Sequence, residues 1–132
     1  TYYGYGPYES YSDKHRASWV DRFDTTVDDM FEDYVFPQEN GSHYNCQYAS
    51  VGNLYAKGKK PFSFQASRYS EKELDEKAHN FELVPSDGIY VALDYKQSGI
   101  GSNSCGPRLA EKYQLREEKI EWEISIRFDN KK

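Results

Sequence analysis

Ile120-Glu121-Trp122-Glu123-Ile124-Ser125-Ile126-Arg127-Phe128 alternates apolar and polar residues without a break. Side chains on an extended strand point to opposite faces in turn. Ile120, Trp122, Ile124, Ile126 and Phe128 therefore share one face, and Glu121, Glu123, Ser125 and Arg127 the other. This is the pattern of a half-buried strand, and it sets the class of the chain as mostly β. Working outward, Phe62, Phe64 and Ala66 repeat it against Ser63, Gln65 and Ser67. Residues 81–84 and 89–95 flank Pro85-Ser86-Asp87-Gly88, whose Pro and Gly suit a tight turn, so the spacing predicts a β-hairpin there. Residues 44–51 alternate less cleanly and are read as a further strand.

Helical signals are few. Ser70-Glu71-Lys72-Glu73 is a capping box, in which the Ser70 hydroxyl and the Glu73 carboxylate each satisfy an unpaired backbone N–H. It predicts a short helix to about His79. Residues 24–30 form a second candidate of a turn or two, entered through Thr25 or Thr26. No repeat, linker or low-complexity tract divides the chain. The expectation is one domain over residues 1–132, an antiparallel β fold with one or two short helices.

Composition excludes several classes of function. A net charge of −5, from 22 acidic and 17 basic residues, gives no basic face for a phosphate backbone, so no nucleic acid partner is expected. No apolar run reaches membrane-spanning length, so no membrane partner is expected either. The chain opens on Thr1 without an initiator Met, which suggests a processed or excised piece, so location is not read from its ends. A cytoplasmic location is favoured over a secreted or cell-surface one. Cys46 and Cys105 show no metal spacing and are read as free thiols, a disulfide requiring that the fold bring their Cα atoms within about 7 Å. His15, His43 and His79 lie scattered among polar residues and are read as surface positions. Asp21, Asp24, Asp28, Asp29, Glu32 and Asp33 lack the order of a calcium loop and are read as a solvated acidic face. No metal or other cofactor is expected.

Aromatic residues make up 17% of the chain, with 13 Tyr, 7 Phe and 2 Trp, against a mean hydropathy of −0.97. Tyrosine buries its ring while its hydroxyl stays wet, which suits both an ordinary β core and a surface that packs on sugar. Three segments stand out. Gly99-Ile100-Gly101-Ser102-Asn103-Ser104-Cys105-Gly106-Pro107 reads as a shaped loop on a rigid sheet, with donors and acceptors at its tip. Pro37-Gln38-Glu39-Asn40-Gly41 sets long polar side chains at a strand end. They either face a sugar or, in the favoured reading, Glu39 pairs with Arg68 or Arg22. Tyr2-Tyr3-Gly4-Tyr5-Gly6-Pro7 is either an aromatic platform for a pyranose ring or a strand end packed under a loop.

Several of these segments together resemble the C-terminal domain of glycoside hydrolase family 2 β-galactosidases. They are Tyr3-Gly4-Tyr5-Gly6-Pro7 followed by Glu9, Tyr11, Ser12 and Asp13, then Asp21-Arg22-Phe23-Asp24, Asp29-Met30 and Tyr34-Val35-Phe36-Pro37-Gln38-Glu39-Asn40-Gly41. Ser67-Arg68-Tyr69-Ser70 and Gly99-Ile100-Gly101 follow in the same order. The resemblance covers nearly the whole chain.

The resemblance implies an antiparallel β-sandwich, the C-terminal part of a galactose-mutarotase-like supersandwich. It implies an enzyme that hydrolyses terminal β-D-galactosides such as lactose with retention, through two glutamates about 5 Å apart. In the family both belong to a separate (β/α)8 barrel that this chain lacks, so no catalytic residue is assigned here and the isolated chain is expected to be inactive. The partners implied are that barrel or a larger chain of the same enzyme, a galactoside at the domain edge, and a homo-oligomer where strand edges and apolar faces stay open. The family loop carries a tryptophan that stacks on sugar. Here Ser102-Asn103-Ser104-Cys105-Gly106 stands in its place, one residue shorter. The resemblance thus implies Ser102, Asn103, Ser104 and Cys105 as the substrate-binding residues, with Asn103 and Ser104 reading the leaving group by hydrogen bonds, unless the loop only packs on another domain. A freestanding carbohydrate-binding or structural module is the alternative.

Overall fold

The computed structural model describes residues 1–101 and 108–129. Six antiparallel strands form one sheet: β1 (Tyr2–Gly6), β2 (Trp19–Phe23), β3 (His43–Val51), β4 (Leu54–Ser67), β5 (Tyr90–Asp94) and β6 (Ile124–Phe128). The order is β2-β1-β3-β4-β5, and β6 also pairs with β4. The mostly β, antiparallel class expected from the sequence is what the chain forms. A second sheet facing this one is not among the described residues.

β4 organises the sheet. Its first half (Leu54 to Gly58) pairs with β6 and its second half (Ser63 to Ser67) with β5, while β3 lies along its other edge. Pro61, which has no N–H to give, falls in the interval between β6 and β5. Opposite, the register of β3 slips between His43 and Cys46, where Asn45 takes a left-handed backbone with φ of 59°. Asn tolerates that conformation better than other non-glycine residues.

Directly paired residues share a face, so Phe23, Tyr2, Ala49, Ala56 and Ile126 form one transverse row. This face holds the core of Tyr2, Cys46, Ala49, Phe62, Phe64 and Ala66, closed by Met30. On the other face Tyr3, Tyr48 and Tyr55 stack at 6.1 and 5.9 Å between ring centroids, and the Arg127 guanidinium lies 4.4 Å from the Tyr55 ring.

The sequence pattern gave the right face for the C-terminal strand but not its depth or length. Ile124 and Ile126 pair with Gly58 and Ala56 on the core side. At the sheet's periphery, however, Ile126 and Phe128 stay exposed, and residues 120–123 lie outside the strand.

The hairpin predicted around Pro85-Ser86-Asp87-Gly88 does not form. Only its second arm is a strand, β5, and it pairs with β4. Asn80–Glu82 is a 3-10 turn instead. In the predicted first arm the Val84 N–H donates to the Glu73 carboxylate, and the Glu82 carboxylate turns back to accept from Ala78 and His79 N–H. The capping box is consequently half made. Ser70 Oγ accepts from Glu73 N–H at 3.0 Å, and the helix α1 (Glu71–Glu76) ends before His79. The earlier helical candidate reduces to the 3-10 turn Asp28–Met30, with Thr26 Oγ accepting from Asp29 N–H.

Candidate functional site

Three connecting segments, residues 7–18, 31–42 and 95–101, meet at one end of the sheet, and a buried carboxylate joins the first two. The Glu9 side chain is 2% exposed. It accepts from Gly41 N–H at 2.8 Å and from the Tyr34 hydroxyl and the Lys14 ammonium. A buried carboxylate is stable when its lone pairs are answered in this way. Beside it, Ser10 N–H donates to the Ser42 carbonyl at 2.7 Å, and Tyr44 N–H donates to Ser10 Oγ at 2.9 Å.

The 31–42 segment is fixed by its own side chains. Asn40, 5% exposed, accepts from Glu32 N–H at 2.9 Å and donates to the Gln38 carbonyl at 2.9 Å. Its carbonyl accepts from the Gln65 amide. Asn40 thus folds inward and is not presented to a ligand. Glu39 does not pair with either arginine expected for it: Arg68 meets Asp28 at 2.7 Å, and Arg22 meets Asp24 at 3.0 Å. Glu39 instead accepts from Gln97 Nε2 at 2.7 Å, and the same nitrogen donates to Asp94 at 3.0 Å. Ser42 Oγ completes the cluster by donating to Gln97 Oε1 at 3.1 Å. Lost hydration raises the Glu39 carboxyl above its usual range, with Asp94 and Glu71 adding to the rise, and Asp94 is raised by the same cause. The Gln97 amide bridges these two carboxyls.

The third segment leads into the Gly99–Pro107 loop. Asp13 accepts from Ile100 N–H at 3.0 Å through one oxygen and from Gly101 N–H at 3.1 Å through the other. Gly99 N–H donates to the Tyr113 carbonyl at 3.3 Å. Next to this limb a cavity of about 470 Å³ opens, bordered by Tyr44, Asn45, Tyr95, Gln97 and Tyr113. The loop residues Ser102, Asn103, Ser104 and Cys105 lie outside the described residues.

His43 corrects a reading of the sequence. It is 1% exposed, its Nδ1 donates to the Tyr5 carbonyl at 3.1 Å, and its ring stacks on Tyr2 at 4.0 Å. Its Nε2 is buried without a partner among the described residues. A polar neighbourhood in sequence did not report burial, because His43 opens β3 opposite Phe64. His15 is half-buried and His79 exposed. Burial lowers the His43 pKa from 6.5 to about 4.

A base whose folded pKa lies below its unfolded value binds its proton only after unfolding. Its contribution to stability is therefore complete above pH 6.5 and is lost as pH falls from 6.5 toward about 4. Denaturant titrations at pH 7 and pH 5 are expected to show a fall in stability that His43→Gln reduces. An equal fall in the variant would assign the effect elsewhere.

Cys46 is a free, fully buried thiol, as expected, and it donates to the His43 carbonyl at 3.3 Å. Burial pushes its pKa up to about 12, which makes it inert as a nucleophile. Cys105 lies outside the described residues. The acidic residues from Asp21 to Asp33 are exposed, as expected. Tyr2-Tyr3-Gly4-Tyr5-Gly6 is β1, its Tyr2 ring in the core and its Tyr3 and Tyr5 rings stacked on Tyr48 and Tyr44. Glu9, Asp13 and Gln97, which hold the three segments together, carry no periodic signal in sequence, because each acts on backbone or side chains far along the chain.

A family model described as beta galactosidase small chain matches residues 1–128. The chain is 50% identical over 128 residues to a β-galactosidase of Actinobacillus pleuropneumoniae, covering 97% of this chain and 12% of that protein. It is 43% identical over 131 residues to one from Staphylococcus xylosus, covering 96% and 13%. Against a Vibrio cholerae β-galactosidase the identity is 33% over 128 residues, covering 96% and 12%. The chain thus spans about an eighth of the length of these curated relatives.

Proposed function

The chain belongs to the β-galactosidase small-chain family, and from that premise we propose that it forms the segment of a retaining β-galactosidase that borders the galactoside site. The substrates are terminal β-D-galactosides, lactose among them. The chain is a single β domain, one part of a larger sandwich. The two catalytic glutamates belong to a separate barrel, on the same polypeptide or on a larger partner chain, and the isolated chain does not hydrolyse galactosides. The loop residues Ser102, Asn103, Ser104 and Cys105 meet the leaving-group side of the substrate, with Asn103 and Ser104 supplying hydrogen bonds where the family pattern has an aromatic ring.

The observation that carries this reading is that the family match runs through residue 128 and so includes the whole Gly99–Pro107 loop. Side-chain bonding agrees with it: Glu9 is engaged inside the fold and Glu39 on Gln97, so neither is free to serve as nucleophile or acid. Exposed apolar residues also agree. Val35 and Phe36, 89% and 64% exposed, lie on a segment that Asn80 ties by a bond to the Tyr34 carbonyl, next to the 85% exposed Phe81. Such a patch is covered by the larger part of the enzyme.

The test is kinetic. In the assembled enzyme, Asn103→Ala and Ser104→Ala are expected to change kcat/KM by about 2- to 10-fold, the loss of a hydrogen bond, and by different factors for galactosides with different aglycones. Identical kinetics for every aglycone would assign the loop to packing alone.

A further inference from the structure

The cavity of about 470 Å³ beside β4 is bordered by hydroxyls that the fold does not answer. Ser12 lines it, and its Oγ is buried with no partner among the described residues. Ser63, 4% exposed, lines it from β4 and makes no side-chain hydrogen bond among those residues. Buried hydroxyls are paired as a rule, because an unpaired one loses its hydration without return. Two on one wall therefore call for a partner that enters the space, and the space has the size of a small-ligand site.

The rest of the wall is fixed in advance. Tyr44 stacks on Tyr5 at 5.8 Å between ring centroids, and Tyr95 packs on Trp122 at 6.4 Å. Tyr113 is held in the 3-10 turn Glu111–Tyr113, its N–H donating to the Ala110 carbonyl at 2.9 Å. Asn45 borders the cavity where the β3–β4 register slips, the device by which a sheet re-aims a side chain. Phenol rings beside hydroxyls and an amide match a pyranose, which offers an apolar ring face and a rim of hydroxyls.

Charge narrows the class further. Lys60, Lys96 and Lys112 border the cavity against one carboxylate, Glu117, which is paired with Lys96. Lys60 and Lys112 make no ion pair among the described residues, and the Lys112 ammonium lies 4.7 Å from the Tyr113 ring centroid. On a chain of net charge −5, three lysines around one glutamate make a local seat for an anion.

We propose that this cavity binds a monosaccharide that carries one anionic group. The sugar ring lies against Tyr44, Tyr95 and Tyr113, with Ser12, Ser63 and Asn45 on its hydroxyls. Its phosphate or carboxylate meets Lys60 and Lys112. The site is independent of how residues 102–105 are read.

The experiment is calorimetry on the assembled β-galactosidase. Glucose 6-phosphate and glucuronate, which are not galactosides, serve as probes, and glucose and inorganic phosphate present the two halves of the ligand separately. At least one anionic sugar is expected to bind about 10-fold or more tightly than glucose and than inorganic phosphate, and to weaken with added salt. The tighter of the two identifies the anionic group. Lys60→Glu with Lys112→Glu, both exposed positions, is expected to weaken that binding about 10-fold or more. Lys57→Glu, the same charge change at an exposed position outside the cavity, is expected to alter it less than about 2-fold. Ser12→Ala is expected to weaken it about 3- to 10-fold, the loss of one hydrogen bond, while Tm without ligand stays level or rises because an unpaired buried hydroxyl is removed.

No binding of either anionic sugar at concentrations up to about 10 mM overturns the proposal. Binding that the double lysine reversal leaves unchanged places the ligand elsewhere and also overturns it. Glucose binding as tightly as the anionic sugars removes the anion from the class, and inorganic phosphate binding as tightly removes the sugar; either result overturns the ligand assigned. A fall in Tm for Ser12→Ala without ligand assigns that hydroxyl to the fold and overturns its role in the site.

Discussion

Glu9→Ala is expected to destabilise the fold by about 3 kcal/mol, measured as a fall in denaturant midpoint at constant slope. The size follows from what the carboxylate leaves behind. Gly41 N–H is buried and loses its partner, and the Tyr34 hydroxyl loses the acceptor it reaches. The Lys14 ammonium matters less, since its side chain is 51% exposed and turns to water. Tyr34→Phe, which removes one donor and leaves the carboxylate with its other two, is expected to cost less, about 1.5 kcal/mol. Equal losses for Tyr34→Phe and Glu9→Ala would place the energy in the phenol and not in the carboxylate.

The second large effect is at Gly41. Its φ is 69°, and an added Cβ would overlap the carbonyl oxygen of Met30, a residue of the core cluster. Gly41→Ala therefore combines a left-handed backbone penalty of about 1–2 kcal/mol with a displacement of the core, for a total of roughly 3 kcal/mol. Gly52 supplies the control, because its φ is 58° and nothing lies within 4 Å of the position a Cβ would take. Gly52→Ala is expected to show the backbone penalty alone. Thermal or denaturant unfolding of the two variants separates the terms, and equal losses would mean that the Met30 contact contributes nothing.

These residues also explain what could be read from the sequence and what could not. The strand Phe62-Ser63-Phe64-Gln65-Ala66 was legible because both faces declare themselves within five residues. Its extension back to Leu54 was hidden by Gly58 and Pro61, residues that argue against a central strand until it is known that one edge is unpaired there. The failed hairpin had the correct turn residues. In its first arm the Val84 N–H goes instead to the Glu73 carboxylate eleven positions away, a pairing that period counting does not register.

At the candidate site, glycine spacing pointed to the 99–107 segment, and the described limb of that segment does join the convergence of loops. Glu39 was singled out correctly as engaged but given the wrong partner, since arginine is the stronger prior for a carboxylate and only the fold brings Gln97 alongside. Glu9 and Asp13 were visible only as members of a family pattern. Their partners, Gly41 and Ile100 with Gly101, are backbone groups, and backbone groups leave no mark on a sequence.

The stacked row of Tyr3, Tyr48, Tyr55 and Arg127 carries a consequence for how the chain acquires its shape. Its members come from β1, β3, β4 and β6, so the row joins positions near both extremes of this chain through two strands in its middle. Such a row cannot nucleate locally. The β3–β4 hairpin with its Tyr48–Tyr55 pair can form early, whereas Tyr3 and Arg127 arrive only after long loops close, the regime in which β proteins fold in milliseconds to seconds. Until β6 is in place the Tyr55 ring lacks its guanidinium, so the β4–β6 pairing is added to the sheet after β3 and β4 have met.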